Sequence, residues 1–266
     1  MIWTHGALAA VFASALATAA GAATMQPIDL TPWAAEGLPG SSNWQVSGDG
    51  SSVRQTVNST PTVFTGGGSA QGYRYNGVVA VDTANDDDFF GFVLGYDSGD
   101  LGGASEFLVI DWKQATQKLG RNPGTGLAGL ALSRVTGNIN TGTSTAPNAN
   151  AFHHTGVVQE LARGATLGST GWADFAAYTF DIAFTATNVT VSVNGVEQID
   201  YTLSSGSFDD GKFGFYNLSQ DNVVYSAFTY GLINPPPPPS PVPLPAGAPL
   251  LALGLGGLAI ARRSRA

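Results

Sequence analysis

Three consecutive carboxylates, Asp86, Asp87 and Asp88, run straight into the apolar stretch FFGFVLGY. They are the residues of this chain best suited to chemistry. Adjacent like charges repel, and a divalent cation among them removes most of that cost. Calcium takes about six to eight oxygens in flexible geometry, and carboxylates and backbone carbonyls at the start of a strand supply several. In an extended segment Asp86 and Asp88 point one way and Asp87 the other. At most two of the side chains are therefore expected on one ion unless the turn bends. The alternative is a solvated turn whose carboxylates meet only water. Asp209, Asp210 and Asp221 are further candidate metal ligands, the first two in a turn before a strand and the third between the last two strands. Asp97 and Asp100 lie beyond the far end of the strand the trio opens, roughly 25 Å away, and should not reach it.

Other chemistries find less support. His153 and His154 are the only histidines after residue 23, and the chain has no cysteine. Read as neighbours on a strand, the two histidines face opposite ways, so a transition-metal site is not expected. No Gly-x-Ser-x-Gly elbow occurs. Glycoside hydrolysis needs two carboxylates about 5–9.5 Å apart, whereas Glu106 and Asp111 have opposite parity on one strand. The expectation is a protein that is not an enzyme. A carbohydrate-binding lectin or a glycoside hydrolase on the same architecture is the alternative. Trp33, Trp44, Trp112 and Trp172 would stack on sugars in that case and pack in the core otherwise.

The elements that must position the trio are strands. Phe90, Phe92, Leu94 and Tyr96 share one face of the central run and Phe89, Gly91, Val93 and Gly95 the other. Both faces are apolar, which predicts a strand covered on both sides or lying partly under a loop. Phe107 to Trp112 reads likewise. Period-2 alternation marks Asn43–Val46, Ser52–Val57, Tyr178–Thr185 and Val189–Val193, and Thr62–Thr65, Gly77–Asp82, Ala128–Val135, Val196–Leu203, Lys212–Tyr216 and Val223–Tyr230 read as further strands. Asn194-Gly195 is a strong hairpin signal. Gly137 to Asn150 reads as a long loop, and Phe152 to Arg163 as a strand or one short helix. Many short strands at about 8–12-residue spacing predict an all-β fold, a β-sandwich of two antiparallel sheets.

Both ends read as addresses. Ile2 to Ala23 is small, apolar and free of acids, and Ala20-Gly21-Ala22 has the spacing a signal peptidase reads, so residues 1–23 are expected to be a signal peptide. Residues 24–232 form the expected sandwich. Residues 233–241 form a linker in which Pro235 to Pro239 is a stiff polyproline spacer. In residues 242–266, an apolar stretch from Ala246 to Ala261 precedes Arg262, Arg263 and Arg265. As a helix this stretch spans about 24 Å, short of the roughly 30 Å hydrocarbon core. It predicts a short transmembrane segment with its arginines on the cytoplasmic side. Setting aside those three arginines leaves 8 basic residues against 19 acidic ones, a net charge near −11. Such a surface repels nucleic acid and attracts cations.

Two resemblances follow. Val242-Pro243-Leu244-Pro245-Ala246, the apolar segment and the arginine cluster resemble the VPLPA form of the PEP-CTERM sorting signal. That resemblance implies a Gram-negative bacterium, transient inner-membrane anchoring, processing by an exosortase-like enzyme and release to the exterior or the cell surface. DDDFFGFVLGY, WKQATQ from Trp112, HTG from His154, GWADFAAY from Gly171 and FGFYNLSQ from Phe213 resemble the thrombospondin C-terminal domain in order and rough spacing. This second resemblance, over about Asn76 to Gly231, implies a concanavalin-like or jelly-roll sandwich that binds calcium and serves extracellular-matrix adhesion. Its expected partners are extracellular polysaccharide or surface proteins. His154 would be a hydrogen-bonded structural residue.

Overall fold

Alternating apolar and polar residues dominate the chain, and the computed structural model folds accordingly. It describes residues 24–233 apart from 120–123, 144–145, 205–207 and 209. The proposed sorting motif (Val242 to Ala246 and the arginines), the signal peptide and Asp209 lie outside the described residues. The first part of the chain gives β1 (Gln26–Pro27), β2 (Ala34–Gly37), β3 (Trp44–Val46), β4 (Ser52–Gln55), β5 (Thr62–Thr65) and β6 (Tyr73–Val81). Next come β7 (Phe89–Tyr96), β8 (Phe107–Lys113), β9 (Gly129–Val135) and the short pair β10 (Gly142–Thr143) and β11 (Ala146–Pro147). Helix α1 (Ala149–His153) and β12 (Val158–Arg163) follow, then β13 (Ala177–Phe184), β14 (Asn188–Val193), β15 (Val196–Thr202), β16 (Lys212–Leu218) and β17 (Val223–Leu232).

The strands form two large antiparallel sheets, as expected. One has the order β15-β14-β13-β6-β17-β4-β3, with β1 added along β17, and the other the order β12-β9-β8-β7-β16-β5-β2. Their facing sides form the main core. Phe90, Phe92, Leu94, Ile110, Trp112 and Phe215 of the second sheet join Val79, Phe180, Ile182, Val191, Tyr225 and Phe228 of the first in one buried cluster. β7 lies at the centre of the second sheet, between β8 and β16.

The apolar outer face of β7 is covered too. Phe89, Val93, Phe107 and Val109, with Tyr96, which leaves its expected place on the Phe90 face after Gly95 (φ 65°), pack under Leu101, Ile139, Ala151, Phe152 and Val158 in a second cluster. The cover comes from loops and from α1, which is too short to carry a readable helical period. Asn148 caps it by accepting from Ala151 N at 3.0 Å. This corrects the strand reading of the histidines: His153 is the last residue of α1, and His154 follows it in the left-handed region at φ 50°. Asn194 (φ 50°) and Gly195 (φ 77°) make the two-residue turn between β14 and β15.

Candidate metal centre

The chain enters β7 at Phe89, so Asp86, Asp87 and Asp88 precede the strand and are not bound by its alternation. The segment bends, and one carboxylate oxygen from each of the three lies within 4.8 Å of the others. Asp86 Oδ1 accepts from the backbone N of Asp87 at 2.9 Å, and Asp86 Oδ2 accepts from Asn58 Nδ2. Asp88 is buried and held at both backbone ends. Its N–H donates to Gln220 Oε1 at 3.0 Å, and its carbonyl accepts from Trp172 Nε1 at 3.1 Å.

The β7–β8 register pairs Phe89 with Lys113 and so sets a lysine beside the trio. Lys113 is fully buried, and its Nζ sits over the rings of Phe89 and Phe152. It donates to Asp88 Oδ1 (2.5 Å), Gln117 Oε1 (2.8 Å), Asp87 O (3.0 Å) and Asp87 Oδ1 (3.4 Å). Two of the three carboxylates thus share one built-in cation. The pairing also differs from the strand expectation, because Asp87 and Asp88 meet at the ammonium and Asp86 stands to the side. Burial pushes the Asp88 carboxyl up to about 6, against the lowering effect of the Lys113 charge. Burial raises Asp86 as well, helped by the charge of Asp87. Both shifts come chiefly from burial, which disfavours the charged carboxylates.

Oxygens bound to one calcium at about 2.3–2.6 Å stand no more than about 5 Å apart. The trio meets that limit, its donors are hard oxygens, and the Asp87 side chain keeps 33% exposure. Residues Asp86, Asp87 and Asp88 therefore fit calcium. Among the described residues no other group of three acids or histidines converges in this way. Asp210 accepts from Ser69 Oγ and from Gln71 N (3.2 Å), next to Lys212, which pairs with Tyr96 at the far end of β7. Asp221 follows Gln220 at the trio's own end, with Oδ2 accepting from Asn222 Nδ2 (3.1 Å) and Oδ1 buried without a hydrogen bond. Neither joins the trio.

A second charged cluster occupies the outer face of the same sheet. His154 Nε2 lies 3.0 Å from Asp111 Oδ2, and its Nδ1 lies 3.3 Å from Glu160 Oε2. Arg163 Nε donates to Glu160 Oε1 at 2.9 Å. Burial alone would hold the imidazole neutral, but the Asp111 charge and the hydrogen bonds His154 donates to both carboxylates outweigh it and raise His154 to about 9. The hydrogen bond from His154 holds Glu160 down at about 2, opposed by burial and reinforced by Arg163. His154 is a structural cation. Glu106, at the other end of β8, pairs with Arg134.

The tryptophans divide. Trp112 and Trp172 are core residues, and Trp44 stacks on Phe64 with ring centroids 5.2 Å apart. Trp33 lines a cleft. Lys113, Asn58, Gln117 and Gln220 are the site residues that spacing did not single out. Lys113, Gln117 and Gln220 lie within the motifs WKQATQ and FGFYNLSQ, which carried no role for them, and Asn58 carried no signal.

The sequence model of the thrombospondin C-terminal region matches residues 40–233. Thrombospondin-2 of Gallus gallus is 30% identical over 200 residues, which cover 71% of this chain and 16% of that protein. The cartilage oligomeric matrix protein of Bos taurus is 29% identical over 201 residues, covering 71% of this chain and 25% of that protein. The chain thus spans a small part of the length of the relatives it matches. A Bacillus subtilis protein of unknown function with a galectin-like fold superposes with a TM-score of 0.50 at 12% identity, over 80% of this chain and 97% of that one. At that identity the likeness concerns the fold alone.

Proposed function

The chain belongs to the thrombospondin C-terminal region family, and from that premise we propose that it is an exported, non-enzymatic, calcium-binding module of the adhesion or matrix type. The observation that carries the reading is the convergence of Asp86, Asp87 and Asp88 to within 4.8 Å with one lysine to neutralise them. The three acids against one ammonium leave two negative charges where the loop meets solvent. A bound calcium would neutralise those charges and hold the loop at the mouth of β7. The non-enzymatic reading is supported by Glu106 and Asp111, which are engaged by Arg134 and His154 on opposite sides of the sheet.

The test is thermal melting in calcium and in chelator. At a calcium concentration of 100 times Kd the stabilisation is about 2.7 kcal/mol, or about 5–10 °C in a domain of this size. Asp86→Asn with Asp87→Asn leaves the Lys113–Asp88 contact in place and should abolish the shift. A wild-type melting point indifferent to both calcium and chelator would sink the proposal.

Export and sorting form the second half of the reading and rest on the sequence of the two ends. Residues 1–23 act as the signal peptide, and an exosortase-like enzyme removes the segment that follows Val242-Pro243-Leu244-Pro245-Ala246. Mass spectrometry of protein recovered from the cell exterior is expected to find no peptide containing Arg262, Arg263 or Arg265. An intact Arg265 on the exported form contradicts this half.

A further inference from the structure

At the end of the sandwich opposite the acidic trio, a cleft of about 460 Å³ opens beside the first residues of β6. β6 runs from Tyr73 at the cleft to Val81 near the trio, a span of roughly 30 Å, so the two places are separate. The cleft's volume lies within the range of about 300–1,000 Å³ usual for small-ligand sites. Its lining is aromatic. Trp33 leans on Phe215 and Phe64, with ring centroids 5.1 and 5.7 Å away. Its indole edge lies against Gly66, where a Cβ would stand 2.4 Å from Nε1, so a side chain at that position would push the ring out of place. Tyr73 and Tyr230 lie together with centroids 5.8 Å apart, and Tyr75 stacks on Phe213 at 3.9 Å.

The cleft also carries polar groups with nothing to bond. Among the described residues, the indole N–H of Trp33 and the hydroxyls of Tyr73 and Tyr230 make no hydrogen bond within the protein. Asp29 uses only Oδ1, which accepts from Thr31 N (2.9 Å) and Thr31 Oγ1 (2.7 Å), so Oδ2 is unused. Core aromatics with polar tips usually satisfy them inside the fold. Here Asp29, Trp33, Tyr73 and Tyr230, which hold a carboxylate acceptor and three such donors, all line one open cleft.

We propose that this cleft is a binding site for a neutral oligosaccharide. A pyranose ring offers an apolar C–H face to the aromatic side chains and a rim of hydroxyls that both donate and accept. Asp29 Oδ2 accepts from sugar hydroxyls, while the Trp33 N–H and the two tyrosine hydroxyls donate to them. An anionic sugar is disfavoured by Asp29 and by the domain's net charge near −11. A purely apolar ligand would leave the carboxylate and the donors unpaired, at a cost that selects against it. The site does not depend on calcium at the trio.

Calorimetric titration of the full-length protein tests this with cellotetraose, xylotetraose, mannotetraose and chitotetraose, and with tetragalacturonate as the anionic comparison. At least one neutral tetrasaccharide is expected to bind with Kd between about 10 µM and 1 mM, and the anionic one at least about tenfold more weakly. Tyr230→Ala should weaken the neutral ligand at least about tenfold and Asp29→Asn at least about threefold. Both residues are at the surface, so melting curves should overlay the wild type. No binding of any neutral tetrasaccharide at about 10 mM overturns the proposal. Binding unmoved by both substitutions overturns it equally, because the ligand then sits elsewhere.

Discussion

Lys113→Met is expected to cost this domain about 3–5 kcal/mol, the usual price of stranding one partner of a buried ion pair. The lysine side chain is fully buried and gives its ammonium to Asp88, Asp87 and Gln117. Methionine fills a similar volume, so the loss comes from the carboxylates and owes little to packing. Asp88, 4% exposed, would then have to stay charged without a partner or take up a proton. Its carboxyl already sits at about 6, and removing the Lys113 charge and hydrogen bond moves it further up. The melting point should fall by about 6–20 °C. Lys113→Met combined with Asp88→Asn should recover part of the loss, since a neutral amide tolerates the same burial better. Urea unfolding of the three variants measures both effects. A loss below about 1 kcal/mol in the single variant would mean that Asp88 is solvated or protonated there at little cost.

The second large effect follows pH. His154 is raised from 6.5 to about 9 in the folded state, against the pull of burial, by the charge of Asp111 and by the hydrogen bonds it donates to Asp111 and Glu160. The folded protein therefore holds this proton more tightly than the unfolded chain does. The resulting stability is fully present below about pH 6.5 and is lost as pH rises through about 9. The size is on the order of 3 kcal/mol. Unfolding midpoints measured from pH 6 to pH 10 should decline across that interval, and His154→Gln should flatten the decline while lowering stability at pH 6. Asp111 is 2% exposed with Oδ1 already lacking a partner, so the variant leaves a buried carboxylate uncompensated. A wild-type profile that is flat between pH 6.5 and pH 9 would mean the imidazole is neutral in the fold.

The sandwich was legible because alternation is a local property. Tyr178, Phe180, Ile182 and Phe184 face one way however the sheet is assembled, and Asn194-Gly195 makes its turn without outside help. The double burial of β7 could also be read from FFGFVLGY, although what covers its outer face could not. α1 is five residues long, too short to leave a period, and it turns what reads as a strand into a helix end at His153. The acids of the trio were visible as a cluster, but their partner was not. Only the β7–β8 register, a contact between residues 25 positions apart, brings Lys113 Nζ to Asp88. The inference that Asp86 and Asp88 share a side assumed a strand that in fact begins one residue after Asp88. The aromatic cleft was out of reach for the same reason, since it draws Asp29, Trp33, Tyr73, Phe213 and Tyr230 from segments spread over the whole domain.

The central claim is that calcium sits among Asp86, Asp87 and Asp88. Diffraction from crystals grown in calcium tests it most directly. The prediction is an ion about 2.3–2.6 Å from carboxylate oxygens of at least two of the three aspartates, with Lys113 Nζ still on Asp88. Carboxylates that touch only Lys113, Asn58 and water in such crystals would contradict it.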